Sequence, residues 1–520
     1  MHTGCKGIRI GDWLRLSAAR FPDRPCFIDN GEHRTLSFAQ TNRRVNWLAN
    51  ALSSAGVAKG EPLAILAVDS HRYVETLLAS MKLGATYVPL NYRLAEREVQ
   101  TLVATAGARW LFVSQRYAGL AARIRDPDGR PLRVVCFERD YEVLLAGGDD
   151  TEPDVDVNDD DVLGLAFTSG TTGLPKGVMQ SQWMMKNMVL NAMTDYAVGT
   201  DECRYSAAPL FHIAGMAMVF MGVARGFTSV LDQQFNAERV LSCMQQGKLT
   251  ACFMVPTMIN TVVNLPAARG ATYPGLRTIL YGAAPMPPAL LREAMDVFGC
   301  DFINAFGAGT EAGLQTVLTA DDHRRAAAGE EHLLGSIGKA AFGVDLRLCD
   351  PDLNDVPRGE VGEIVTRSDT VMSGYLRNPE ATADSLKEGW FRAGDLARMD
   401  DEGYLYLAGR RKDMIIRGGE NVYPIEIETV LAEHAAVLDV AVVGIPEPHW
   451  GEVVRACLVA RPGHPTPSAE ELADHCRAHL ARYKVPEQFV WMDELPRNAS
   501  GKVLKRELRL QIDAAESRFV

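Results

Sequence analysis

Residues 167–181 read FTSGTTGLPKGVMQS, a short stretch in which glycine, serine and threonine crowd around a single lysine, Lys176. Such a segment cannot build a core. It can present backbone N–H groups, hydroxyls and one ammonium to an anion, and phosphate is the usual candidate. It follows the strand-like LGLAF and precedes a helix expected after residue 181, the context of a phosphate loop. It is not a Walker A loop, because the position of that motif's second glycine, counted from Gly170, holds Pro175. A flexible surface loop would account for the small residues but not for Pro-Lys-Gly directly after them.

Other stretches carry less when taken singly. FGAGTEAG (306–313) contains a GxG whose spacing to the next glycine is wrong for a dinucleotide fingerprint. Its Glu311, beside Thr310, offers a carboxylate of the kind Mg²⁺ takes together with phosphate oxygens. WFRAGD ends in Asp395, suited to accept hydrogen bonds from a ribose diol, and GRRKD supplies Arg410 for phosphate or sugar. LPRNASGKVLKREL puts Lys502 on a glycine-flanked loop before a basic helix, and PLFHIAGM sets His212 in an apolar stretch. A surface carboxylate, a solvated lysine and a packed histidine are the commoner roles for such residues in isolation.

The elements that must position these residues follow from periodicity. EPLAILAV (61–68) reads as a buried strand, Asp69 or Ser70 caps a helix to Leu83, Gly84 stops it, and ATYVPL (85–90) is the next strand. Strands near 110–114, 132–136 and 162–167 continue the alternation, with strand–helix pairs at 204–208/213–224, 251–254/256–264 and 278–281/287–298. This predicts α/β layers with largely parallel sheets. The connector GGDDTEPDVDVNDDD (147–161) reads as a solvated acidic loop. Beyond about residue 410 a helix over EIETVLAEHAAV, strands VAVVGI and RACLVAR, and a helix over 468–483 outline a small α+β unit.

At 520 residues the chain exceeds a single core, and two domains are expected, 1–410 and 411–520. A net charge of −12 argues against nucleic acid or an anionic membrane as the main partner. No run of 18 apolar residues marks a membrane span, and the charged amino terminus lacks a signal-peptide core. The ten cysteines form no CxxC pair and no cluster at zinc spacing, so a reduced, zinc-free, cytoplasmic protein is expected.

The order of the motifs decides between the readings. TSGTTGLPKG, PLFHIAG, GAAP, TEAG, GYLRNPEAT, WFRAGD, GRRKDMIIRGGENVYPIEIE and PRNASGK, in that sequence, resemble the adenylate-forming (AMP-binding) superfamily of acyl-CoA synthetase type. The resemblance runs from FPDRPCFID near the amino terminus to KREL. It implies a large multi-subdomain α/β domain that binds ATP and an acid, and a small mobile α+β domain that rotates between two half-reactions. It also implies Mg²⁺ and CoA as cofactor and co-substrate. Thr168, Ser169, Gly170, Thr171, Thr172, Gly173 and Lys176 match the loop for the β- and γ-phosphates, and Lys502 matches the lysine that bridges the carboxylate and the α-phosphate. Glu311 matches the magnesium-associated carboxylate and Thr310 the neighbour of the AMP phosphate, while Ala283, Ala284 and Pro285 fall on the adenine site. Asp395 and Arg410 match the ribose aspartate and its partner, Lys412 the hinge, and Gly418–Gly419 the pantetheine passage.

Four positions depart from the family pattern. Phe306-Gly307-Ala308-Gly309-Thr310-Glu311 is one residue longer than Tyr-Gly-x-Thr-Glu, which leaves open whether Phe306 or Gly307 meets the adenine. Gln182 replaces a histidine, Ala393 a threonine and Ile416 a lysine. By the same resemblance His212 is the gate of the acyl pocket, which Ala214, Met218, Leu314 and Gln315 would line. Mostly apolar walls imply a fatty or aryl acid. The leading reading is therefore an ATP-dependent acyl-CoA ligase. An acyl-AMP ligase that loads a separate carrier protein is the nearest rival, a luciferase-like oxidation and a non-catalytic nucleotide-binding protein stand further off, and homodimerisation is left open.

Overall fold

The computed structural model describes residues 7–168, 175–418, 420–497 and 503–509. Its first sheet has seven strands in the order Gly374–Tyr375, Gly177–Ser181, Val162–Phe167, Thr86–Pro89, Pro62–Leu66, Trp110–Val113 and Arg133–Cys136. The five strands from Val162–Phe167 onward run parallel, and the first two are antiparallel additions. The expected βαβ unit is present at residues 62–89. Ser70 Oγ accepts from Tyr73 N at 3.3 Å to start the helix His71–Leu83, and Gly84 ends it at φ 65°. Nearly every residue of that helix is buried, as befits an element enclosed by neighbouring layers.

Asp69 does not cap the helix. Its Oδ1 accepts from Leu210 N at 2.9 Å, tying the end of Pro62–Leu66 to the loop that leads to His212. Burial pushes the Asp69 carboxyl up to about 8, with Arg93 opposing the rise and Asp29 adding to it.

The second sheet has nine strands, and its central run from Asp301–Phe306 through Thr278–Gly282, Ala251–Met254, Cys203–Ser206 and Thr228–Leu231 to Pro25–Asp29 is parallel. A single apolar cluster joins the two sheets through Phe112, Tyr87, Phe220, Leu280 and Ile303. A third, antiparallel sheet places Trp390–Met399 between Val361–Ser368 and Leu405–Arg410. The acidic connector is less free than its composition implies. Glu152 Oε2 accepts from the buried Lys82 ammonium at 2.7 Å, and the Asp150 and Thr151 carbonyls accept from Asn46 and Asn50. A buried ammonium requires a partner, and the connector supplies it.

The carboxy-terminal unit is a mixed sheet in which Gly451–Ala460 pairs with Val437–Glu447, Ile415–Arg417 and Gln488–Met492. The helices Pro424–Ala432 and Ala469–Arg477 cover it, with Ile415, Ile427, Leu431, Val454 and Leu472 in the core. The second helix stops at Arg477, short of the expected 483, because the chain turns back so that Gln488–Met492 can pair in parallel with Arg455–Val459. Among the described residues no helix is long and apolar enough to cross a membrane.

Asp69 yields a stability prediction. Its folded-state pKa of about 8 stands above the ordinary 3.8, so the folded protein holds a proton that the unfolded chain releases, and this contribution is lost as pH rises from about 4 to 8. Asp69→Asn keeps an acceptor for Leu210 N without the charge. It is expected to stabilise the protein by about 1 kcal/mol or more at pH 8.5 and by less at pH 5, read by thermal unfolding. A difference independent of pH would contradict the assignment.

Candidate active site

The phosphate-loop motif is carried by a hairpin. Val162–Phe167 and Gly177–Ser181 pair antiparallel with Phe167 opposite Gly177, and Thr168 N donates to Lys176 O at 3.0 Å. The helix expected after residue 181 does begin at Gln182, but a five-residue strand separates it from the loop. Thr168 and Lys176 thus close the base of the motif. Ser169, Gly170, Thr171, Thr172 and Gly173 lie outside the described residues, as do Gly419 and Lys502.

The Lys176 ammonium stands over the Tyr375 ring, 4.8 Å from its centre. Tyr375 is set there by pairing with Val178 on the same hairpin, and its hydroxyl donates to Glu311 Oε1 at 3.4 Å. Glu311 occupies the one-turn helix Gly309–Ala312, and its carbonyl accepts from Met372 N at 2.7 Å. Burial raises the Glu311 pKa, while Arg410, the Tyr375 hydroxyl and Lys176 all oppose the rise. Tyr375 is itself pushed up to about 12, first by burial and then by the Glu311 charge, so it stays a neutral donor.

Arg410 arrives from the third sheet. It is the cross-strand partner of Asp395, and its Nε lies 2.9 Å from Asp395 Oδ1. Asp395 is buried and Arg410 half-exposed. Lys412 follows in the turn Arg411–Asp413, where burial and then Arg410 lower its pKa. Further on, Gly418 takes φ 58°, its N–H donates to Trp450 O at 2.7 Å, and a Cβ there would stand 2.8 Å from the indole.

Gly282 pairs with Ala305, which sets Ala283–Pro285 beside Phe306 and Gly307. Ala283 adopts φ 66°, uncommon for a residue with a side chain. The half-buried Phe306 ring packs against the cluster of Ile337, Ile364 and Leu405. Gly307 is exposed, and a Cβ on it would fall 2.1 Å from Gly313 O. Of the two residues, the one that presents open surface is therefore bare backbone.

His212 precedes the helix Ile213–Arg225, and burial lowers its pKa, which keeps the imidazole neutral at pH 7. That helix start touches the Glu311 turn, since a Cβ on Gly309 would stand 2.8 Å from Ile213 Cγ2. Ala214 and Leu314 are half-buried against the central core, and the buried Met218 lines a small cavity with Asp69, Ser206 and Leu210. Gln315 does not reach solvent. It is buried, with Nε2 donating to Thr366 Oγ1 at 3.1 Å. Among the described residues no three His, Cys, Asp or Glu side chains could hold a metal ion together. A cation at Glu311 would thus complete its shell with phosphate oxygens and water, as Mg²⁺ commonly does.

The structure therefore gathers Lys176, Thr310, Glu311, Asp395, Arg410 and Lys412 at one place, with His212 adjoining. Tyr375, which sequence reasoning did not single out, sits between the first and third of these. Its motif, GYLRNPEAT, was the only signal available.

Residues 14–376 match the family described as AMP-binding enzyme, and residues 426–502 match the AMP-binding enzyme C-terminal domain. The chain is 40% identical over 501 residues to a feruloyl-CoA synthase of an Amycolatopsis species, covering 96% of this chain and 98% of that protein. It is 34% identical over 515 residues to a long-chain-fatty-acid–CoA ligase of Mycobacterium tuberculosis, covering 97% and 99%. Among solved structures, the o-succinylbenzoate CoA synthetase of Bacillus subtilis in complex with its acyl-adenylate intermediate superposes with a TM-score of 0.84. It shares 31% identity, covering 96% of this chain and 98% of that one.

The Tyr375 hydroxyl favours the ionised form of Glu311, so removing it raises the carboxyl pKa further. Tyr375→Phe is expected to move the acid limb of the pH–rate profile to higher pH, and only slightly, the bond being a long one. An unmoved limb would separate Glu311 from the rate.

Proposed function

The chain belongs to the AMP-binding enzyme family as an AMP-forming acyl-CoA synthetase, and we propose that it activates a hydrophobic acid, fatty or aryl, in the cytoplasm. The acid's carboxylate attacks the α-phosphorus of ATP, the α–β phosphoanhydride bond breaks, and pyrophosphate leaves with the electron pair. In the second step the CoA sulfur attacks the acyl carbonyl, its proton passes to water, and AMP departs.

The observation that carries this reading is the convergence of Lys176, Glu311, Arg410 and Asp395 from four separate segments. The first step brings two anions together, so positioned cations lower its barrier, each by about 3 kcal/mol. In this reading Lys176, Thr168 and the loop between them hold the β- and γ-phosphates, and Lys502 bridges carboxylate and α-phosphate. Asp395 accepts from the ribose hydroxyls, with Arg410 fixing its carboxylate, and Thr310 adjoins the AMP phosphate. The adenine lies over the Gly307 backbone beside Ala283–Pro285. The half-buried Glu311 carboxylate, flanked by cations and a hydroxyl, fits a Mg²⁺ ion, which when bound would neutralise phosphate charge. Neutral His212 gates a pocket walled by Ala214, Met218, Leu314 and Gln315. Lys412 is the hinge of a mobile unit, residues 411–520, and Gly418–Gly419 pass the pantetheine arm.

A panel of fatty and aryl acids, assayed for AMP release with ATP and Mg²⁺, tests the reading. CoA-dependent AMP release, with acyl-CoA seen by mass spectrometry, is the expected outcome. Adenylate without any CoA product would point to a carrier protein as acceptor. Lys502→Ala is expected to lower adenylation of free acid by about 10²-fold or more, while thioester formation from supplied acyl-AMP changes little. Equal loss in both assays would refute the division of labour between the half-reactions.

A further inference from the structure

Gln180 is the fourth of the five residues in the Gly177–Ser181 strand and has no exposed surface. Alternation along the strand puts Val178 and Gln180 on one face, and Val178 packs there with Ala312, Met372 and Tyr375. A buried primary amide is costly in such a place unless it is bonded. Its Nε2 donates to Thr310 O at 3.1 Å, inside the one-turn helix that carries Glu311.

The rest of the amide is unsatisfied. Gln180 Oε1 has no partner among the described residues, and neither has the Tyr87 hydroxyl. Tyr87, Gly164 and Gln180 are successive cross-strand partners, and the Tyr87 ring crosses over Gly164, where a Cβ would stand 2.4 Å from the ring. A leucine or methionine at 180 would fill this space with no bare acceptor of its own, though Thr310 O would lose its donor. What the amide adds is the single bond to Thr310 O.

We propose that Gln180 is a positioning residue, fastening the turn that carries Glu311 directly to the hairpin that carries the phosphate loop. The other hydrogen bonds of that turn, from Thr370 Oγ1 to Ala312 O, from Met372 N and from the Tyr375 hydroxyl, come from residues 370–375 and reach the hairpin only indirectly. Gln180 thereby fixes the spacing between Glu311 and Lys176 across which a metal-bound triphosphate must fit. The proposal rests on the reading of Glu311 as the carboxylate associated with metal-bound nucleotide.

Gln180→Met, which removes the donor and the bare acceptor at nearly constant volume, tests it by calorimetric titration with ATP·Mg²⁺ and, separately, with AMP. AMP spans the adenine and ribose contacts but lacks the β- and γ-phosphates. The expected result is ATP·Mg²⁺ affinity weakened about fivefold to tenfold, with AMP affinity unchanged within about twofold. The KM for the acid should also hold, and the melting temperature should stay within about 2 °C, since removing the unpaired Gln180 Oε1 offsets the donor that Thr310 O loses. Gln180→Leu, measured in the same way, guards against a packing fault peculiar to methionine. Equal weakening of ATP·Mg²⁺ and AMP, or no weakening of either, would overturn the proposal. Wild-type protein that binds AMP but gains nothing from Mg²⁺ and the further phosphates would overturn the reading of Glu311 as well.

Discussion

Glu311 is asked to leave bulk water and still carry charge. Burial alone would drive its carboxyl toward neutrality, and a neutral acid could not draw a divalent cation. Besides its own backbone N–H, three groups hold the balance: Arg410, the Tyr375 hydroxyl and Lys176. Each comes from a different part of the chain, so the charge state of one residue depends on how the layers assemble. The hairpin supplies Lys176, a two-residue strand added to that hairpin supplies Tyr375, and the third sheet supplies Arg410. A displacement of any of these elements changes the electrostatic setting of the other two.

The same dependence links the two large sheets. Asp69 leaves the first sheet and holds Leu210 N, two residues before His212, and the helix that follows His212 rests on the Glu311 turn. The acyl side and the nucleotide side of the proposed site therefore share one wall. On the other flank Arg410 pairs with Asp395, and Lys412 follows two residues later, at the exit toward the carboxy-terminal unit. The residues proposed for ribose and hinge are thus joined through Arg410, so that in the proposed reading movement at the hinge would be felt at the nucleotide.

Much of the first sheet was legible in the sequence because its signals are local. The unit at 62–89 has an apolar strand, a Ser cap, a helical period and a glycine stop, all of which the structure bears out. The strands of 203–206, 251–254 and 278–282 with the helices after them were readable for the same reason. Long-range pairings were not. Gly177–Ser181 reads as the tail of a glycine-rich loop, and only its pairing with Val162–Phe167 makes it a strand. Tyr375 gains its place from two residues of pairing, too few for any periodicity. The connector at 147–161 reads as solvated by polarity, yet Lys82 offers it a buried partner far away in the chain, and the buried bond from Gln315 to Thr366 has no local signal either. That Phe306 packs against Ile337 and Leu405 while Gly307 stays exposed depends on a cluster that no local pattern contains.

The hairpin setting of the phosphate motif has an electrostatic consequence. In loops that open a helix, the helix N-terminus directs its unpaired N–H groups and its dipole at the phosphates. Here the nearest helix after the motif begins at Gln182, beyond a complete strand, so its dipole is spent elsewhere. Charge compensation must then come from side chains and bound cations, which act at short range and only when correctly spaced. That is a physical reason for a hairpin-borne motif to be accompanied by Lys176, Arg410 and, in the proposed reading, a carboxylate that takes a metal. Spacing among these groups matters more than any one of them, because a Coulombic contribution in a site of low polarity changes steeply with distance.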